Sequence, residues 1–371
     1  MLVSRREGSL GTPAEIRLHE DRTVNRWTAF SFLFLILCWG ALTSNSTLGH
    51  HSGSEYNREK VVEVEGKLLE VRWQNPHVQF SVRSTDQSGK VITWDIEANS
   101  LSILRRTDAT PETLKVGDTI RISGFPSART PNRMWATNVL SADGREIVLG
   151  PGIKPRWKTA ATGSTTTWFQ GGSPTDPKAG IFRVWSTQIG VSGGLWRNDY
   201  PLTASAKNAL AAWNPLTDTV APGCSPKGMP TIMEEPYPIE FVNRGETILL
   251  KMEEYDTVRT IHMSPNAAFN ALPPMLLGRS SGRWDGSTLV VTTNRIAWRY
   301  IDSSGVPQGT SSSIVERFTS TPDGSRLNYT MTISDSQTFT RPVELKKSWV
   351  WRPKETVKPY NCVTSNVPPQ R

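Results

Sequence analysis

The feature that most constrains this chain is a two-residue alternation of apolar and polar side chains, repeated in short runs that turn residues interrupt. Val78, Phe80 and Val82 alternate with His77, Gln79, Ser81 and Arg83. Ile92, Trp94 and Ile96 alternate in the same way with Thr93, Asp95 and Glu97. Successive side chains of a strand point to opposite faces, so each run reads as a half-buried strand. The 26 prolines and 28 glycines favour many turns and short strands over long helices. At 371 residues the chain can bury two cores of ordinary size. The expected fold is mainly β: an OB-like small barrel plus a second antiparallel β-meander or barrel domain with one short helix.

Ahead of these strands lies an export layout. Trp27 to Leu42 is apolar and uncharged, follows Arg22 and Arg26, and leads into small polar residues from Thr43 to Thr47. A basic flank, an apolar run and then small residues is the order of a secretory signal. The run falls short of the roughly 20 apolar residues that a membrane-spanning helix needs. Residues 1–49 therefore read as a signal peptide or N-terminal anchor, with cleavage between Leu42 and His50. The expected location is periplasmic or secreted; an uncleaved segment would instead anchor the protein in the inner membrane, facing the periplasm. Cys38 follows Leu37, where a lipoprotein site has a small residue, and belongs to the apolar run. The net charge of +8 is spread without a Lys/Arg block, which argues against a nucleic-acid partner.

Residues 50–149 form the first expected domain. Val62, Val64 and Leu68 keep one phase, and Leu69, Val71 and Trp73 take the other. A phase change inside one strand, near Gly66, predicts a bulge. A short helix over 99–106, a helix start at Thr110-Pro111-Glu112, strands over 119–125 and 134–140, and a hairpin at Asp143-Gly144 complete an OB-like order. His50-His51-Ser52, Tyr56, Gly66, the run from Val71 to His77, Trp94 to Glu97 and Leu114 to Asp118 resemble a family of exported bacterial proteins of unknown function. Its marks are an N-terminal His-His-Ser and an Asn-Pro-His before the second strand. The resemblance implies a periplasmic or secreted OB-like module and no particular activity.

Residues 150–180, rich in Gly, Pro, Thr and Ser, read as a linker. Residues 181–365 read as the second domain. It has a helix capped by Thr203 and strands over 239–243, 247–253, 258–263, 287–294, 313–319, 327–333 and 344–351, with close turns between them. Arg259 to Met263, Gly282 to Gly286 with Thr288 to Val291, and Ser348 to Val350 resemble a β-rich domain of uncharacterised exported bacterial proteins. That pattern often has His where Arg279 stands here, which weakens any role shared between position 279 and His262.

Three constellations carry chemistry. His77, Gln79, Arg83, Asp95 and Glu97 share the outward face of neighbouring strands and suit a polar small molecule; the plainer reading is a solvated sheet face with cross-strand ion pairs. His50, His51 and His77 suit a borderline metal such as copper, since an N-terminal His50 would offer both an amine and an imidazole. Cys224 and Cys362, the pair left after signal removal, suit a disulfide in an oxidising compartment. Carboxylates at Asp95 and Glu97, and at Glu253, Glu254 and Asp256, are sparse grounds for hydrolysis. The ligand and any cofactor stay open. The expectation is an exported binding or structural protein that meets a small molecule or an envelope component and touches a membrane only through an uncleaved N-terminus. The rival is a copper-dependent enzyme using the N-terminal histidines, or a hydrolase in the second domain.

Overall fold

The computed structural model describes residues 55–363 except 106–108, 151, 159–160, 162–178, 188–198, 215–217, 219, 222, 265–268, 270 and 353. The expected signal, His50 and His51, and most of the expected linker lie outside the described residues. Two β-sheets hold nearly all the order. The first runs β1 (Val62–Arg72), β2 (Gln79–Thr85), β3 (Val91–Glu97), β4 (Thr119–Pro126), β5 (Arg133–Leu140) and β6 (Glu146–Val148). Its order is β3-β2-β1-β4-β5-β6, and a parallel β3–β5 pairing closes five of the strands into a small barrel. This is the expected OB-like closure.

The phase change in β1 is a bulge. The β1–β2 register shifts between Leu68 and Glu70, so Leu69 is the extra residue. Gly66 serves a different need: a Cβ there would lie 2.2 Å from the Arg83 carbonyl oxygen, so only glycine lets the two backbones approach so closely. The helix expected over 99–106 shortens to α1 (Leu101–Leu104), whose N-cap is the Ser100 hydroxyl. Thr110 to Thr113 is not a helix start but a turn, in which the Thr113 hydroxyl bonds both the N–H and the carbonyl of Thr110. Local Thr side-chain bonding competes with helix there.

The second sheet holds β7 (Val184–Thr187), β8 (Ile239–Asn243), β9 (Thr247–Met252), β10 (Thr257–His262), β11 (Arg279–Asp285), β12 (Thr288–Asn294), β13 (Ser313–Ser320), β14 (Arg326–Ser334) and β15 (Val343–Val350). It closes in the order β10-β11-β12-β13-β14-β15-β7-β8-β9. All its pairings are antiparallel except β10–β11, which is parallel, so the chain crosses over between those two strands. The expected helix is α2 (Ala204–Ala212), and the Thr203 hydroxyl accepts from the Ala206 N–H at 3.1 Å. No helix among the described residues is long and apolar enough to cross a membrane.

The two barrels meet through the C-terminal segment. Cys224 and Cys362 are disulfide-bonded, as the cysteine count predicted. Beside that bond, Asn75 forms a parallel bridge with Cys362. Its amide donates to the Tyr360 carbonyl, its amide oxygen accepts from the Leu101 N–H at 3.0 Å, and its own carbonyl accepts from the Val363 N–H at 2.9 Å. Asn75 is thus a buried amide bonded through its N–H₂, its side-chain oxygen and its backbone carbonyl, and the Asn-Pro-His element doubles as the joint between the barrels. Where the expected linker begins, the backbone N–H groups of Arg156, Trp157 and Lys158 all donate to the buried Glu146 carboxylate, at 2.6, 2.9 and 2.8 Å.

Candidate functional site

The outward face of β2 and β3 is not open to solvent throughout, and this corrects the expectation. The segment around Tyr56 lies across it, held by a Tyr56–Ser127 bridge and an Asn57 N–H to Pro126 carbonyl bond. Under that cover Gln79 pairs with Glu97 across the strands, and they are 6% and 3% exposed. The Tyr56 hydroxyl donates to Glu97 Oε2 at 2.6 Å, and Arg133 Nη2 donates to Glu97 Oε1 at 2.9 Å. Arg133 also lies 3.6 Å from Asp95 and 3.8 Å from Glu55. Burial, then the Glu97 charge, pushes the Tyr56 phenol far above its usual range. His77 sets its ring edge-on to Trp135 at 5.1 Å. Arg83 remains exposed, opposite Thr93 and away from the cluster. His77, Gln79, Asp95 and Glu97 therefore gather with Tyr56, Glu55, Arg133 and Trp135, and Arg83 does not join them. The sequence reading missed Arg133; its place directly opposite Asp95 was hidden because β3 and β5 pair across the barrel seam.

The second barrel is filled, not hollow. Arg259 points inward from β10 and is 1% exposed. Its guanidinium makes an ion pair with Glu316, reaches Ser280 Oγ at 3.0 Å and Thr293 Oγ1 at 2.5 Å, and Tyr329 donates to Glu316 Oε1 at 2.7 Å. Around this network Phe241, Phe318, Tyr329 and Trp349 pack ring against ring.

One end of the barrel is plugged by the turn Thr231–Glu234. Lys347 donates to the carbonyls of Met233, Glu234 and Glu235 at 2.9, 3.0 and 2.9 Å, and its ammonium sits over the Trp349 ring. Lys227 pairs with Glu235, and with Glu254 at 3.1 Å. Three carboxylates thus face two ammonium groups. Burial, then the Glu235 charge, raises Glu254 to about 8. Burial, then Glu235 and Asp302, does the same for Glu234. Burial pulls Lys347 down to about 8 against the pull of those acids. A carboxyl whose pKa rises on folding binds its proton more tightly in the folded state, so its contribution to stability is present at low pH and is lost as pH climbs towards 8. Between pH 5 and 8 the wild type should lose stability more steeply than Glu254→Gln. Urea midpoints across that range test this, and equal slopes would refute it.

The opposite end is open. There the β8–β9 turn, the end of β10, the end of β11 and Phe182 border an open-mouthed cavity of about 330 Å³, lined by Phe182, Asn243, Ile248, Met263, Gly282, Arg283 and Trp284. Phe182 and Trp284 stand edge to face at 6.0 Å, and Trp284 is 43% exposed. Gly282 faces inward beneath it, where a Cβ would lie 2.8 Å from both Ile261 and the Met263 sulfur. The side-chain oxygen of Asn243 is committed to the Gly245 N–H at 2.9 Å, which leaves its amide N–H₂ to offer to the cavity.

Among the described residues no three His, Cys, Asp or Glu side chains converge as a metal-holding group. His262 is exposed beside Phe269, and Arg279 donates to the Pro273 carbonyl. No curated protein matches the chain. Residues 40–134, which carry the Tyr56–Glu97–Arg133 cluster and the Asn-Pro-His element, match the sequence model of a family of unknown function, DUF6152.

Proposed function

We propose that the protein is an exported binding protein that holds a small molecule with an aromatic body and polar edges in the mouth of its second barrel. The observation that carries this reading is the mouth cavity of about 330 Å³, a size within the range of small-molecule sites. The packed interior below it sets its depth. An aromatic wall at Phe182 and Trp284, an apolar floor at Ile248 and Met263, and one amide donor at Asn243 suit a planar body with a hydrogen-bond acceptor. Export is supported by the layout around Trp27 to Leu42 and by the Cys224–Cys362 bond, since disulfides persist in oxidising compartments.

The neutral fluorophore N-phenyl-1-naphthylamine serves as probe. The full chain should bind it saturably at one site. Trp284→Ala should weaken binding about tenfold, the loss expected from a truncated aromatic anchor, with little change in unfolding temperature because Trp284 is at the rim. Equal affinity in the variant, or no saturable binding to the wild type, overturns the reading.

A further inference from the structure

At the plugged end two buried polar atoms point to a second, much smaller site. Glu254 is 3% exposed and Trp349 is 1% exposed. Glu254 Oε1 takes the Lys227 ammonium at 3.1 Å. Its other oxygen, Oε2, and the indole nitrogen of Trp349 have no hydrogen-bond partner among the described residues. Both residues line the same narrow cavity, together with Glu235 and Tyr237. About 10 Å³ of it is open to the centre of a water molecule, which is room for one.

We infer that this cavity is a binding site for one internal water that links Trp349 Nε1 to Glu254 Oε2. The donor and acceptor chemistry selects the occupant. An indole N–H only donates, and an ionised carboxylate only accepts. The occupant must therefore accept from one and donate to the other. A metal cation is repelled by the N–H, an ammonium ion has no lone pair to receive it, and a halide can give nothing to an ionised Glu254 and meets the Glu235 carboxylate in the same lining when Glu254 is protonated. Water does both. It also fits when Glu254 carries a proton, because a water has two lone pairs and can accept from the indole and the acid together. Glu235 and Tyr237 lie within the same lining to take its remaining hydrogens. An unmet buried polar atom is costly, and here one molecule satisfies two of them. The site also ties β15, which carries Trp349, to the β9–β10 turn that carries Glu254, so it closes the plugged end of the barrel from the inside.

A high-resolution crystal structure of the full chain tests this. The expected result is one isolated density peak with contacts of about 2.8–3.0 Å to both Trp349 Nε1 and Glu254 Oε2. Three outcomes overturn it: no density in the cavity, direct pairing of the two side chains, or a peak with short contacts to carboxylate oxygens and the indole N–H turned away, which marks a cation. In the Trp349→Phe variant, if it folds, the peak should persist on Glu254 at lower occupancy. An unchanged peak there would mean that the indole does not hold it, which also refutes the bridge.

Discussion

Replacing both Cys224 and Cys362 by serine should cost about 5 kcal/mol of unfolding free energy on the chain-entropy model. The bond closes a loop of 138 residues, and a cross-link of that span removes much of the freedom of the unfolded chain. A folded-state loss adds to this. The bond fixes the segment that carries Tyr360, whose ring packs against Tyr255 and Tyr237 at 4.7 and 5.5 Å and whose carbonyl receives the Asn75 amide. Without the bond those contacts have to be held by packing and by the hydrogen bonds of the segment to Asn75 and Asp256. Guanidinium unfolding of the wild type and the double variant measures the difference. A loss below about 1 kcal/mol would show that the tail is held independently of its disulfide.

Glu316→Ala should be nearly as damaging, at about 3–5 kcal/mol, because it leaves a buried guanidinium without its counter-charge. Arg259 and Glu316 are 1% and 0% exposed, so bulk water does not screen the guanidinium once the carboxylate is gone. The same change strips Tyr329 of the acceptor for its hydroxyl. Ser280 and Thr293 would still bond the arginine, but neither carries charge. The double variant Arg259→Met, Glu316→Leu removes both charges and fills the space with apolar atoms. It should recover most of the loss, since a buried ion pair often adds little over a well-packed apolar replacement. Denaturant unfolding of the three proteins separates the cases. Equal instability of the single and double variants would mean that packing, not the unpaired charge, sets the cost.

Where side-chain alternation was clean the sequence was readable, and the reason is physical. Phe80 and Val82 face the first core and Gln79 and Arg83 face away from it, so β2 declares itself in its own residues. The bulge in β1 is equally local, because the phase slips between Leu68 and Leu69. β11 was missed because its inward positions are Ser280 and Gly282. One bonds Arg259 and the other makes room for Met263, so neither supplies an apolar signal. β7, at Val184–Thr187, is too short to show a period. The polar cluster was half legible. Alternation put Gln79 and Glu97 on the outward face, but alternation cannot tell that another segment will cover that face. Tyr56 does so from outside the strands. Arg259 was placed in a strand from its neighbours, yet an arginine at the centre of a barrel has no local mark; its partner Glu316 lies 57 positions away.

Asn75 carries a consequence for the order in which the molecule can be completed. Its amide partner, Tyr360, is 285 positions further along the chain. A chain that emerges N-terminus first can close its first barrel long before Tyr360, Cys362 and Val363 exist. Until then one buried amide in the first barrel has no protein partner for its donors, and the face around it is wet. The second barrel has the matching gap, because Cys224 awaits Cys362. Both gaps are filled by the same few residues. The segment that carries Tyr360, Cys362 and Val363 therefore works as a fastener that arrives after both barrels, and it drains two unfinished surfaces in one step.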